Sequence, residues 1–405
     1  MRYLFIHQNF PAQFGRMAAH LASQPGNQVV YLTGRKDVEI PGVHKIVYTE
    51  PREPGKETHQ YIRYLERAVL QGQAAYRAGL VLKQQGFEPD IIYGHSGFGA
   101  SMYVRDLYPK VPIMGYFEWF YHVHGTDADF DPSEEMSIDD ECRIRTKNMV
   151  VLQELDSCDA GVSPTYWQHS QFPLEFRNKI RIIHDGVDAR VFRPDPNAKL
   201  ILPTVKLDLT EAKEIVTYVG RGMEPYRGFP QFMEAVSLLL KRRPNCHVVI
   251  VGAEHVAYGV PHPSGKSYKA VILEKFSYDM NRLHFTGPLP YGDYRKVLQA
   301  SSVHVYLTRP FVLSWSMLEA MSCGCTLVAS DTPPVREVVR DGQNGLLVDF
   351  FKPHELADRI EEALDDKARR AILGANARET IKANYDIERL MPQHIRLIEN
   401  IAQKR

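Results

Sequence analysis

The sequence predicts an α/β protein made of two Rossmann-like, doubly wound domains that face a cleft. Three observations support this prediction. Apolar runs of strand length alternate with helical segments in the first half of the chain, and the same alternation begins afresh in the second half. Prolines and polar residues gather between residues 194 and 210, where we place the boundary. At 405 residues the chain also exceeds one typical domain core.

Strand-length apolar runs fix the order of elements in each half. In the first half the predicted strands are Tyr3–Ile6, Gln28–Leu32, Val43–Tyr48, Pro89–Tyr93, Val111–Tyr116, Ala160–Ser163 and Ile180–Ile183. In the second half they are Ile215–Val219, His247–Val251, Leu283–Thr286, Val303–Leu307, Thr326–Ser330 and Leu346–Val348. We therefore predict a first domain over residues 1–200 and a second over residues 201–385.

Charge and composition exclude several function classes. The formal net charge is zero, which argues against bulk binding of nucleic acid or strong adsorption to an acidic membrane. No apolar run reaches the length of a membrane span, and the first residues read as a buried strand and not as a signal peptide. The five cysteines are odd in number and lack metal-ligand spacing. We expect free thiols in a cytoplasmic protein, with at most weak peripheral membrane contact.

The stretch from Val303 to Ser330 predicts a βαβ unit with a functional loop. Its loop, Arg309–Ser314, should lie at the carboxyl edge of the sheet, where open α/β sheets bind ligands. The helix that follows would aim its free N–H groups at an anion. Glu319 in that helix could accept hydrogen bonds from vicinal hydroxyls such as those of a ribose. An equally weighted alternative is a capping box, in which Ser316 and Glu319 satisfy only backbone N–H groups.

A glycine-rich segment carries two arginines at a predicted strand end. The residues Gly220-Arg221-Gly222 read as a tight turn, and Arg227 follows six positions after Arg221. Two guanidinium groups so placed can clamp a diphosphate and neutralise its charge as a glycosidic bond breaks. The alternative is an exposed loop with two surface arginines.

Two residues of the first half are candidates for contact with a sugar or for acid–base chemistry. His95 follows a predicted strand among small residues, and Glu118 lies between Phe117 and Trp119. A histidine satisfied within its loop and a structural salt bridge are the respective alternatives. A metal site formed by His122 or His124 with nearby aspartates is disfavoured, and the acidic run 126–140 is typical of a solvated surface.

Several segments together resemble the retaining glycosyltransferases of family 4, which have the B-type (GT-B) fold. They cover residues 160–350 well and the first sheet weakly. The matching segments are Ile182–Asp188, Val219–Arg221, Arg227-Gly228, His284–Gly287, Leu318–Gly324, Val335–Val339 and Asn344–Val348.

The resemblance implies roles for individual residues. Arg221 and Arg227 would hold the donor diphosphate, with Gly220 and Gly222 beside them, and Glu319 would bind the ribose. Val312, Leu313 and Ser314 would line the donor site, the first two through backbone N–H groups. It also implies that no metal or cofactor is needed, and that a final helix over residues 386–405 crosses back to the first domain.

Three departures from the family pattern affect this interpretation. Phe311 stands where a glutamate is usual, which leaves the donor sugar open. The usual glycine pair after the first strand is replaced by Gln8–Gly15. Glu118 stands in the region of a usual histidine, and we hypothesise that it takes over that role, as a base toward the acceptor.

The most favoured function is transfer of a sugar, with retention, from a UDP- or GDP-sugar to a carbohydrate, lipid-linked or small-molecule acceptor. A nucleotide-sugar epimerase of the same fold and a non-catalytic nucleotide-sugar-binding protein are the alternatives. The identity of the acceptor and the oligomeric state are left open by the sequence.

Overall fold

The computed structural model describes residues 1–403 and divides the chain into two compact units. The first unit comprises Met1–Asp185 together with the chain from Leu390 onward, and the second comprises Gly186–Arg389. The boundary thus falls earlier than the predicted position at residue 200, because the segment after Gly186 is tied to the second unit. Val187, for example, exchanges backbone hydrogen bonds with Tyr385 and Ile387.

The first unit is a seven-stranded parallel sheet in the order β3-β2-β1-β4-β5-β6-β7. Its strands are β1 (Arg2–Ile6), β2 (Gln28–Thr33), β3 (Val43–Val47), β4 (Ile91–His95), β5 (Ile113–Tyr116), β6 (Ala160–Ser163) and β7 (Ile180–Ile182). Its helices before the boundary are α1 (Gly15–Ala22), α2 (Arg63–Gln84), α3 (Val104–Leu107), α4 (Ile138–Ser157), α5 (Tyr166–Ser170) and α6 (Leu174–Arg177). The five inner strands are buried almost throughout, as a parallel sheet covered by helices requires, whereas the edge strands β3 and β7 are partly exposed.

The second unit has a six-stranded parallel sheet in the order β12-β11-β10-β13-β14-β15 and a short antiparallel pair, β8 with β9. The strands are β8 (Ile201–Leu202), β9 (Leu207–Asp208), β10 (Glu214–Gly222), β11 (Cys246–Ala253), β12 (Leu283–Gly287), β13 (Val303–Tyr306), β14 (Thr326–Ser330) and β15 (Leu346–Val348). The helices are α7 (Phe229–Arg242), α8 (Tyr268–Lys275), α9 (Tyr291–Gln299), α10 (Trp315–Ser322), α11 (Pro333–Arg336), α12 (Pro353–Asp365), α13 (Lys367–Asn384) and α14 (Ile387–Ala402), the last of which runs on into the first unit. Two Rossmann-like doubly wound sheets are therefore confirmed.

Both sheets reverse their strand order at one point. In the first unit this switch point lies between β1 and β4, and in the second it lies between β10 and β13. Chain segments that leave the carboxyl ends of these paired strands diverge in opposite directions and leave a crevice at the sheet edge. The residues that follow β1, β4, β10 and β13 are therefore where a ligand is expected.

The structure corrects three local predictions. The segment Gly220–Gly222 is not a tight turn, because β10 continues to Gly222 and pairs it with Ala253 beyond a bulge. His95 is the last residue of β4 and does not lie in the following loop. The acidic segment 126–140 is not irregular to its end. Ser137 and Asp140 form a capping box, and helix α4 begins at Ile138.

The last helix supplies part of the core of the first unit. Ile398 and Ile401 of α14 are buried in one apolar cluster with Tyr3 and Phe5 of β1. His394 of the same helix bonds the carbonyl of His184 over 3.1 Å. No helix among residues 1–403 is both long enough and apolar enough to cross a lipid bilayer.

We predict that Ile398→Ala destabilises the first unit by about 2–5 kcal/mol, since the deleted side chain leaves a cavity in a packed cluster. Ile398 is 1% exposed, whereas Ile372 of α13 is 60% exposed and provides the matched control. Urea unfolding followed by tryptophan fluorescence measures the effect. Two of the three tryptophans lie in the first unit, and only Trp315 lies in the second. Equal midpoints for Ile398→Ala and Ile372→Ala would show that α14 contributes little to this core.

Candidate functional site

A buried arginine organises the switch point of the second unit. Arg227 ends a 3-10 turn, Pro225–Arg227, and is 7% exposed. Its Nη1 donates to the Tyr306 hydroxyl at 3.0 Å, the Thr308 hydroxyl at 2.7 Å and the Val312 carbonyl at 3.0 Å. One guanidinium nitrogen therefore ties the end of β13 to both ends of the loop that leads into α10.

The backbone around Arg227 has little freedom. Gly228 has a φ of +63° and caps α7, and a Cβ at this position would lie 2.5 Å from Cβ of Leu307. The Tyr218 hydroxyl donates to the Arg227 carbonyl at 2.8 Å. The Arg-Gly pair thus combines a left-handed residue with a close approach of two chain segments, which only glycine permits.

Several N–H groups around this loop have no acceptor among residues 1–403. They are the Nε and Nη2 groups of Arg227 and the backbone N–H groups of Val312 and Leu313. Ser314 differs, because its N–H donates to the Tyr306 hydroxyl at 2.9 Å and its own hydroxyl caps α10. The loop therefore presents N–H donors at the edge of the sheet, a pattern that suits an anion.

The two arginines lie in different environments. Arg221, in the extended end of β10, is exposed and makes no hydrogen bond or ion pair with the described residues. Gly220 and Gly222 flank it within the strand, and Gly222 is packed against the carbonyl of His255. Arg227 thus fixes the loop, whereas the charge of Arg221 is available to a ligand.

Glu319 is held by two tyrosines of α9. The hydroxyl groups of Tyr291 and Tyr294 donate to its two carboxylate oxygens at 2.5 and 2.7 Å. The cap of α10 is Ser314, whose side chain accepts from the N–H of Ser316, so the proposed capping box of Ser316 and Glu319 is wrong. The two tyrosine hydroxyls thus fix the position and orientation of the Glu319 carboxylate.

Phe311 belongs to an aromatic cluster beside Arg227. Its ring meets those of Tyr226 and Tyr258 edge-on, each with centroids 5.6 Å apart. The Arg227 guanidinium lies 5.3 Å from the centroid of the Tyr258 ring, and that of Arg309 lies 5.0 Å from the Tyr226 ring. The position that carries a glutamate in the family pattern is therefore filled by apolar packing.

A second buried carboxylate supports this cluster. Glu224 accepts hydrogen bonds from the backbone N–H groups of Ala257 and Tyr258, the latter at 2.9 Å. Burial raises its pKa. Glu224 thereby joins the loop that carries Tyr258 to the turn that carries Arg227. Glu224 was not predicted as a site residue, because an acid before a proline carries no local signal of burial.

The switch point of the first unit holds a polar network around two neutral histidines. His7 follows β1, and its ring centroid lies 4.3 Å from that of His95 at the end of β4. Nε2 of His7 bonds Oε1 of Gln13 at 3.0 Å, and Nε2 of Gln13 donates to Oε1 of Glu118 at 3.1 Å. His95 and Glu118 were predicted as site residues from the sequence, whereas His7 and Gln13 were not.

A hydrogen bond to a backbone carbonyl fixes which nitrogen of the His95 ring carries the proton. Nδ1 of His95 faces the Ser96 carbonyl at 2.9 Å and must donate, so its Nε2 is unprotonated in the neutral ring. Burial lowers the pKa of His95 to about 4 and holds that of His7 well below its usual value. Nε2 of His95 lies 3.8 Å from Oε2 of Glu118 and has no hydrogen-bond donor among the described residues. That nitrogen is buried, and His95 as a whole is 1% exposed.

His122 and His124, in the loop that follows β5, have different partners. His122 bonds the Gln171 carbonyl at 2.8 Å, and His124 lies 3.4 Å from Asp129. Among residues 1–403 no group of three or more histidines, cysteines or acids is arranged to hold a metal ion.

Comparison with known families follows the division into two units. Residues 25–192 match the sequence model of the Glycosyl transferase family 4 group, and residues 204–380 match that of Glycosyl transferases group 1. Together the two matches span more than half of the chain. The chain belongs to the GT-B glycosyltransferases.

Solved structures share the fold of this glycosyltransferase over nearly its whole length. Sucrose-phosphate synthase from Thermosynechococcus elongatus superposes with a TM-score of 0.74, 18% identity and full coverage of both chains. HepE of Anabaena, solved with UDP and glucose, has a TM-score of 0.71 and 16% identity, and the match covers 99% of this chain and 100% of that one.

The sequence relatives match a smaller share of the chain than the solved structures do. A D-inositol 3-phosphate glycosyltransferase of Corynebacterium glutamicum is 25% identical over 50% of this chain and 47% of its own length. The protein of that description in Corynebacterium efficiens is 24% identical over 78% of this chain and 73% of its own length. An alpha-D-kanosaminyltransferase of Streptomyces kanamyceticus is 28% identical over 43% of this chain and 42% of its own length.

We predict opposite behaviour for the two arginines of the glycosyltransferase. Arg227→Met should lower the free energy of unfolding by about 3 kcal/mol, because three acceptors and a loop lose one buried donor. Arg221→Met should change it by less than about 0.5 kcal/mol, because the side chain is exposed and makes no bond in the described structure. Denaturant unfolding of both variants measures the difference. Equal losses for the two variants would contradict the assignment of Arg227 as the anchor.

Proposed function

We propose that this glycosyltransferase transfers a sugar, with retention of configuration, from a UDP- or GDP-sugar to a carbohydrate, lipid-linked or small-molecule acceptor. One observation carries the proposal. N–H groups that lack acceptors lie together at the switch point of the second unit. They belong to Val312 and Leu313, within the loop Arg309–Ser314, and to Arg227, which binds this loop. Such donors complement a diphosphate, whose negative charge grows as the bond to the sugar breaks.

The proposed donor contacts are divided among named groups. Arg221 and the remaining N–H groups of Arg227 bind the diphosphate, with the backbone of Val312 and Leu313 beside them. Glu319, oriented by Tyr291 and Tyr294, accepts hydrogen bonds from the ribose hydroxyls. These cationic and dipolar groups provide the charge compensation, so we propose a reaction that needs no metal ion.

Known structures support a nucleotide-sugar donor. Structures of Anabaena HepE, which shares the fold at a TM-score of 0.70, were solved with UDP-glucose. In this chain the ring of Phe311, packed with Tyr226 and Tyr258, offers a sugar an apolar edge and no hydrogen-bond acceptor. The sugar carried by the donor is therefore expected to differ from one that a glutamate at this position would bind.

On the acceptor side we propose that Glu118 acts as the base. Gln13 orients Oε1 of this carboxylate, and its side chain is 33% exposed, so a substrate can reach it. We also propose a hydrogen bond from a sugar hydroxyl to the unprotonated Nε2 of His95, which requires a local opening because that atom is buried. Both roles lie in the first unit, whereas the donor contacts lie in the second.

Thermal shift with UDP, GDP and the corresponding mononucleotides tests the donor site. A ligand present at about 100 times its Kd should stabilise the protein by roughly 2.7 kcal/mol. Arg221→Ala should weaken the binding of the nucleoside diphosphates by about 10- to 100-fold, since one charged contact with the diphosphate is lost. The binding of the mononucleotides should be less affected. Glu319→Gln should weaken both classes alike, because each carries the ribose. No stabilisation by any nucleotide would remove the proposal.

Slow hydrolysis of the best donor tests catalysis and separates an enzyme from a binding protein. Glu118→Gln should lower turnover by about 10²- to 10⁴-fold without changing the thermal shift by the donor, because a base is lost and the donor contacts are intact. Glu88→Gln, at an exposed position of the same unit, is the control. The configuration of the released sugar, read by NMR before mutarotation, reports retention. Unchanged turnover in Glu118→Gln would exclude Glu118 as the base.

A further inference from the structure

Lys147, in the middle of α4, lies between two tyrosine rings. Its Nζ is 3.7 Å from the ring centroid of Tyr121 and 5.0 Å from that of Tyr64. The side chain is half-buried. Within residues 1–403 its ammonium donates no hydrogen bond and forms no ion pair, which distinguishes it from the lysines that bond carbonyls or carboxylates elsewhere in the chain.

Both walls of this Lys147 pocket are held in place by other contacts. Asn148 clasps the backbone of Tyr121, accepting from its N–H at 2.9 Å and donating to its carbonyl at 2.7 Å. The Tyr64 hydroxyl donates to the Gly97 carbonyl. The backbone of Tyr121 and the ring of Tyr64 are therefore each held by hydrogen bonds that do not involve Lys147.

The ammonium is desolvated without being hydrogen-bonded. The faces of two rings attract a cation, but they replace none of the hydrogen bonds that its three N–H groups make in water. Burial lowers the pKa of Lys147 to about 8, with Asp127 acting in the opposite direction and Arg143 adding to the depression. An anionic ligand would supply the missing acceptors and a negative charge in addition to that of Asp127.

The Lys147 pocket adjoins the acceptor residues of the first unit. Tyr121 follows Glu118 by three positions in the same loop, and Gly97 follows His95 by two. Asn148 and Tyr64 thus anchor the pocket to the loops that leave the carboxyl ends of β5 and β4. A ligand bound at His95 and Glu118 can extend along these loops toward Lys147.

We propose that Lys147, framed by Tyr64 and Tyr121, binds an anionic group of the acceptor, a carboxylate or a phosphate. The assignment to an acceptor rests on the proposed function, whereas the anion site itself rests on the geometry of the pocket. A compact ammonium suits such oxygen anions as a point charge. The rings on either side restrict the direction from which the anion can approach.

Competitive labelling tests the site directly. Acetic anhydride at pH 8 acetylates lysines in proportion to their neutral amine, and peptide mass spectrometry reports Lys147 separately from the exposed Lys110. The probes are inorganic phosphate, glucose 6-phosphate, glucuronate and glucose, each at the same ionic strength set with sodium chloride. A bound anion stabilises the ammonium and blocks access, so acetylation of Lys147 should slow about tenfold at roughly ten times the Kd.

The pattern of protection decides the proposal. Protection of Lys147, and not of Lys110, by glucose 6-phosphate or phosphate identifies a phosphate site, and protection by glucuronate alone identifies a carboxylate site. Equal labelling of Lys147 with all probes, or equal slowing by glucose, overturns the proposal. Tyr121→Leu, which removes one wall and leaves Lys147 in place, should lessen the protection.

A second measurement separates this inference from the proposed function. Lys147→Met should keep the thermal shift by the nucleotide donor, because the donor contacts lie in the other unit. If the unmodified protein shows no donor shift while Lys147 is protected by an anion, the proposed transfer reaction fails and the anion site stands. A donor shift without protection sinks the anion site alone.

Discussion

The second unit depends on one buried cation. Placing a guanidinium inside a protein is costly unless acceptors surround it, and Arg227 meets that condition with two hydroxyls, one carbonyl and an aromatic face. Because these acceptors lie at both ends of one loop, the same bonds that stabilise the cation also hold the loop open. The backbone N–H groups of Val312 and Leu313 are thereby kept from turning inward to find partners. The loop thus presents these N–H groups in the absence of a ligand, which suits the anion site that we propose.

The aromatic cluster of Phe311, Tyr226 and Tyr258 is the corresponding specialisation. Phe311 is 8% exposed, and its neighbours also carry the stacked guanidinium groups. A glutamate at this position would place a carboxylate against the rings of Tyr226 and Tyr258, which offer it apolar contact where Phe311 packs well. The change from a carboxylate to a phenyl ring is therefore coupled to Tyr226 and Tyr258, and it alters the wall of the site without loosening the loop that Arg227 fixes.

In the first unit a different principle operates, because the central groups are neutral. Burial keeps His7 and His95 unprotonated, so the two rings can lie 4.3 Å apart without repulsion. Glu154 stabilises the neighbouring loop by accepting from Ser96, Gly97 and Ser101, and burial raises its pKa to about 7. The side chain of Glu118 is 33% exposed, so in this region a carboxylate beside the neutral rings is open to solvent.

Local sequence was sufficient for the architecture and for part of the site. The bounds of Thr326–Ser330 and Leu346–Val348 agree with prediction, since short apolar runs between turn residues have few alternatives. The glycines, the arginines at 221 and 227, and Glu319 were visible because each is a chemically distinctive residue near a strand end. These are properties of the chain that do not require knowledge of what lies beside it.

Tertiary structure alone decided which of these residues are structural and which are available. Arg221 and Arg227 look alike in sequence, yet only the second is enclosed by residues of β13 and its loop. Gln13 reaches Glu118 across 105 positions, and the tyrosines that hold Glu319 come from a preceding helix. Such pairings follow from the order of strands in a parallel sheet, which brings distant loops to one edge, and no local pattern of residues encodes that order.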